Sequence, residues 1–81
     1  ELLSPADKYN EFIITGLRTI WGVNLVELET RFGKAMYQHC LKAAEKYLQK
    51  NLLAMEENTL KVTREGLFIS DGITTDLMWM E

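Results

Sequence analysis

The sequence predicts an α+β fold that is mainly α, and three observations predict it. Apolar residues recur at spacings of three and four through most of the chain up to Lys50, the period of a helix with one buried face. Between Leu53 and Val62 the period drops to two, the signature of strands. Gly33 interrupts the helical pattern between two helical stretches, so a tight turn is expected there and not one long helix.

Ser4-Pro5-Ala6-Asp7 starts the first helix. Ser accepts from exposed amides as the N-cap, Pro suits the first helical position, and Asp sits where the helix dipole favours negative charge. Tyr9, Phe12, Ile13, Leu17 and Ile20 then form one apolar stripe, and the helix should end between Thr19 and Gly22. Gly16 lies on that stripe. It lowers helix stability by about 1 kcal/mol relative to Ala, which the close approach of a neighbouring backbone would explain. Asn24, with Glu27 three residues on, begins a second, short helix with Leu25, Leu28 and Phe32 on its apolar edge. A third helix from Lys34 to Lys50 buries Met36, Tyr37, Cys40, Leu41, Ala44, Tyr47 and Leu48, and turns Lys42, Glu45, Lys46 and Gln49 to water.

Leu53 and Met55, then Leu60 and Val62, alternate with more polar neighbours on either side of a Glu57-Asn58 turn, where Asn tolerates positive φ. An isolated hairpin is marginal in water, so this one should lay those four residues against the third helix. Thr63 can cap a last helix in which Ile69, Ile73 and Leu77 share a face, weakened by Gly66 and Gly72 and ending irregularly at Met78-Trp79-Met80. Two helices joined by a Gly-bearing turn and followed by a hairpin make a winged helix-turn-helix arrangement: three helices, a hairpin wing and a C-terminal helix, in one domain over residues 1–81.

Bulk properties narrow the function. A chain of 81 residues has room for one small core, burying about 60% of its unfolded surface. The net charge of −3 argues against general nucleic-acid binding, which shows as a basic domain. No apolar run approaches the ~20 residues of a membrane span, and no basic-then-apolar leader opens the chain. The single cysteine, Cys40, excludes an internal disulfide and fits a reducing, cytoplasmic setting. The chain opens on Glu and not Met, so a piece of a longer protein is expected.

Candidate chemistry is sparse. A DNA-reading third helix would present Lys34, Ala35, Gln38 and His39, backed by a stripe of His39, Lys42, Lys46 and Lys50. The hairpin tip, however, carries Glu56 and Glu57 where a DNA-binding wing offers cations, so DNA is not the expected partner and the stripe reads as a solvated face. His39 and Cys40 are adjacent on a helix and point about 100° apart, so they do not chelate one ion, and His39 reads as a surface residue. No phosphate loop and no Ser/His/Asp set is present, so nothing supports independent catalysis. Glu11 and Arg18 lie two helical turns apart on nearly one side; they read either as two exposed charges or as partner contacts, Arg18 through its planar fork.

Three motifs in order carry a resemblance: Glu11, Gly16, Leu17, Arg18 and Gly22-Val23; then Phe32-Gly33 and Asn51-Leu52-Leu53; then Leu60 through Asp71, in which Leu60, Val62, Thr63, Gly66, Ser70 and Asp71 are the matching positions. Together they resemble the C-terminal domain of the oxygen-independent coproporphyrinogen III oxidase-like proteins (HemN/HemW family), closest to the haem-chaperone branch and to members from the Bacteroides group. The resemblance implies an accessory domain of a longer polypeptide, preceded by a radical S-adenosylmethionine barrel that binds a [4Fe–4S] cluster, S-adenosylmethionine and, in the chaperone branch, haem. One cysteine does not supply that cluster's ligands, and the branch's haem-associated His-Asn-x-x-Tyr-Trp segment has no match here, so His39 receives no haem role. The expectation is that the first helix is the docking element. Glu11, Gly16, Leu17 and Arg18 would meet the barrel and help cover its S-adenosylmethionine or porphyrin pocket, leaving an apolar patch exposed when the domain stands alone.

Overall fold

The computed structural model describes residues 4–19 and 21–79. Helix α1 spans Pro5–Arg18, strand β1 Val23–Asn24, helix α2 Leu25–Phe32, helix α3 Lys34–Gln49, strands β2 Leu53–Glu56 and β3 Thr59–Val62, a 3₁₀ turn Glu65–Ile69, and helix α4 Ser70–Leu77. The expected order of helices and hairpin is therefore observed. Ile20 and Met80 lie outside the described residues.

Local chemistry fixes the starts of the first two helices. The Asp7 amide donates to Ser4 Oγ at 3.1 Å and the Ser4 amide donates back to the Asp7 carboxylate at 3.4 Å, a complete capping box. At α2 only half of that device forms. Asn24 Oδ1 accepts from the Glu27 amide at 2.9 Å, while the Glu27 carboxylate turns to Arg31, one turn on, at 3.2 Å. Gly33 alone separates α2 from α3, at φ 95°, a conformation glycine reaches without a Cβ penalty.

The sheet has three antiparallel strands in the order β1-β3-β2, with Leu60 of β3 opposite both Val23 and Met55. Glu57 and Asn58 both take positive φ (49° and 65°), as a two-residue hairpin turn requires. Strand β1 was not expected, because two residues are too few to show alternation. It exists because Gly16 of α1 leaves it room: a Cβ there would stand 2.6 Å from Val23 Cγ2 and 2.9 Å from the Gly22 carbonyl oxygen. The backbone that approaches Gly16 thus belongs to this chain.

The core joins Tyr9, Ile13 and Leu17 of α1, Leu28 of α2, Cys40 and Ala44 of α3, Leu53 and Leu60 of the sheet, and Ile73 and Leu77 of α4. Two expectations need correction. Met55 is exposed and not packed on α3, since it stands at the edge of the sheet nearest the turn. The last helix is broken: Thr63 Oγ1 does accept from the Gly66 amide at 3.1 Å, but what it caps is the 3₁₀ turn. The backbone then departs from helix at Ile69 (φ −125°, ψ 24°), which leaves Ile69 exposed and only Ile73 and Leu77 facing inward. Gly66 is buried there because a Cβ would overlap the Leu52 carbonyl oxygen.

Candidate docking face along the first helix

Helix α1 has two faces with different work. Inward, the Tyr9 hydroxyl donates to the Leu77 carbonyl at 2.7 Å in the core. Asn10, at the edge of that face, holds the backbone of Trp79 from both sides: its Oδ1 accepts from the Trp79 amide at 2.6 Å and its Nδ2 donates to the Trp79 carbonyl at 3.2 Å. His39 of α3 completes the clamp, with Nε2 2.9 Å from the Met78 carbonyl oxygen and its ring edge-on to Trp79 at 5.1 Å. Side chains from α1 and α3 therefore satisfy the carbonyl of Leu77, which the helix end leaves without a partner, and those of Met78 and Trp79 just beyond it. His39 is half-buried structural cement and not the surface residue expected from sequence. Asn10 had a legible signal, a poor helix former in mid-helix beside an apolar stripe, but its partner 69 positions away had none.

Outward, Glu11 and Arg18 are both exposed along one edge of α1. Arg18 stands in the last turn, where the helix dipole favours a cation. With Ile14, Leu67, Asp71 and Thr74 it lines a groove of about 410 Å³ between α1 and the 3₁₀ turn with α4. Leu67 of the 3₁₀ turn, 61% exposed, lines that groove, and the next two residues of the turn, Phe68 (88% exposed) and Ile69 (45%), also face solvent. Glu11 lines a separate cleft with Lys8, Phe12, Thr15 and Arg31. The other two residues of the expected docking set have intramolecular positions. Leu17 is buried in the core but also lines the Arg18 groove, and Gly16 is packed against β1 and borders a cleft with Phe12 and Trp21.

Other candidates are occupied or inert. Cys40 is fully buried, and burial pushes its thiol up to about 11, partly offset by a hydrogen bond with Tyr9. Burial, with Cys40 alongside, raises the Tyr9 phenol as well. A neutral, enclosed thiol is a small hydrophobe and not a reactive group. Among the described residues no three His, Cys, Asp or Glu side chains converge on a metal position. An iron–sulfur cluster needs several thiolates, so this chain's one buried cysteine does not fit it. Of the cationic stripe on α3, His39 is held by Met78, and Lys46 pairs with Asp76 at 3.0 Å. Asp76 also accepts from the Tyr47 hydroxyl, and these two partners, Tyr47 first, hold its carboxyl below the ordinary value.

No described helix is long and apolar enough to cross a membrane. Among curated proteins and among solved structures, none matches the chain. A family profile described as the HemN C-terminal domain matches residues 3–69, which takes in α1, the helix-turn-helix, the sheet and the 3₁₀ turn with its exposed ridge. The chain belongs to the HemN C-terminal domain family.

Proposed function

We propose that this domain is an accessory module of a HemN-like protein. It docks on the N-terminal radical S-adenosylmethionine region that its family membership implies. Arg18 and the Leu67–Ile69 ridge form the centre of the contact, Glu11 contributes at its rim, and Gly16 and Leu17 hold α1 in place from behind. The observation that carries this reading is the ridge itself. Three consecutive large apolar side chains of one turn are exposed, and the first, Leu67, lines the same groove as an arginine that has no ion pair among the described residues. Interface cores favour apolar anchors with arginine, and a contiguous exposed apolar patch marks an interaction site. The longer polypeptide, in this reading, supplies the [4Fe–4S] cluster and S-adenosylmethionine, acts on or carries a porphyrin or haem in the cytoplasm, and falls in the haem-chaperone branch, on the strength of the Glu11, Gly16-Leu17-Arg18 and Gly22-Val23 pattern. The domain itself performs no chemistry; it covers the pocket.

The test is made in the intact polypeptide. Phe68→Ser and Arg18→Ala should each expose the link between barrel and domain to limited proteolysis and lower retention of bound cofactor. The same changes in the 81-residue chain should leave its helical circular dichroism unchanged, with Arg18→Ala lowering the melting temperature by no more than the loss of one helix-dipole contact. Full cofactor retention and unaltered protease resistance in both variants would remove the ridge from the interface.

A further inference from the structure

Trp21 is 75% exposed, on the flank of α1 away from Arg18. It borders two clefts. One, of about 580 Å³, runs past Phe12 and Thr15 to Glu27. The other, of about 460 Å³, lies between the indole and the hairpin turn and includes Asn24, Glu56, Glu57 and Lys61. A neighbouring cleft, which shares Phe12 and Thr15 with the first, shows how this flank treats a cation. Arg31 of α2 lies 5.3 Å from the ring centres of both Phe12 and Phe32 while its guanidinium is 3.2 Å from the Glu27 carboxylate. Aromatic faces and one carboxylate together hold an arginine there.

The second cleft offers an aromatic face and two carboxylates against a single cation, Lys61. Its aromatic face is Trp21, the ring that attracts cations most strongly. Glu56 is matched by Lys61 at 3.2 Å, which leaves Glu57 as the carboxylate with no ion pair among the described residues. Glu57 also occupies a positive-φ turn position that Asn or Gly fills with less strain. We infer that the cleft between Trp21 and the Glu57 turn seats an arginine side chain of a partner polypeptide, with the guanidinium on the indole face and paired to Glu57. The cleft's charge selects the occupant: an uncompensated carboxylate beside an electron-rich ring complements a planar cation and repels an acidic segment. This surface shares no lining residue with the Arg18 groove, so it is a second contact, independent of barrel docking.

The probe is an acetylated, amidated pentapeptide Gly-Leu-Arg-Leu-Gly, titrated into the isotopically labelled 81-residue chain and followed by the indole N–H signal of Trp21, assigned from a Trp21→Phe variant. The arginine peptide should shift the Trp21 indole and the Glu57 amide, and replacing its arginine by citrulline should abolish both shifts. Trp21→Ala should weaken binding by about two- to five-fold, the span of an exposed cation–π contact. Glu57→Asn should weaken it too while leaving the melting temperature equal or higher, since Asn suits the turn. Glu45→Gln, the same charge change on α3, should leave affinity unaltered. Equal binding of the citrulline peptide, or equal losses from Glu45→Gln and Glu57→Asn, would overturn the assignment.

Discussion

Single residues in this chain divide sharply between those set by packing and those left free. Gly66 and Gly72 read alike in the sequence, as weak points in one helix, and the structure separates them. Alanine at Gly66 would drive a Cβ into the Leu52 carbonyl, whereas nothing lies within 4 Å of a Cβ at Gly72. Gly66→Ala should therefore destabilise by about 1–3 kcal/mol through overpacking. Gly72→Ala, on an exposed helical turn, should stabilise by about 0.5–1 kcal/mol through propensity and a less flexible unfolded chain. Thermal melts of the two variants would show opposite shifts; equal shifts would mean that α4 does not sit where it is placed here. Gly16 was legible as a special position because it breaks an apolar stripe. What approaches it was not legible, since that depends on a strand of two residues. His39 was misread for a related reason. A lone histidine carries no periodic signal, and the carbonyl it binds is 39 positions away.

At the scale of elements, helix period, cap chemistry and turn residues made most boundaries readable. The start at Ser4, the break at Gly33 and the Glu57-Asn58 turn fall where the residues put them. The break after the hairpin was not readable. Ile69, Ile73 and Leu77 keep a helical spacing, but Thr63 is tied backward, its hydroxyl donating to the Asn51 carbonyl at 2.7 Å and its amide to that of Leu52 at 3.1 Å. The chain therefore turns tightly before α4 begins. Helix α4 is held to α3 partly through Asp76, which takes hydrogen bonds from Tyr47 and Lys46. Those bonds lower its carboxyl below the ordinary 3.8 in the fold. The unfolded state therefore binds the proton first. The contribution is fully present above about pH 4 and is lost as pH falls through the depressed folded value. Asp76→Asn should flatten the acid limb of stability against pH and leave its slope above pH 5 unchanged. An unaltered acid limb in urea melts of the variant would place the ion pair outside the stabilising interactions.

For the whole molecule, the family was legible because its motifs occupy positions that the fold itself requires: Gly16 against β1, Gly33 between two helices, Gly66 beneath the β2 approach. The docking face was only half legible. The sequence located α1 and its charged edge at Glu11 and Arg18, but it counted Ile69 among core residues and gave Leu67 and Phe68 no role. Their exposure follows from the 3₁₀ turn, which periodicity does not foresee. Leu17 and Gly16, expected at the partner surface, also pack within the domain, Leu17 in the core and Gly16 against β1. Hydrogen exchange compared between this chain alone and the intact HemN-like polypeptide tests the docking claim most directly. Amides of Glu65–Ile69 and of the last turn of α1 should exchange at least about ten-fold more slowly in the intact protein, the mark of a stable contact. Equal exchange of these segments in the two forms would contradict it.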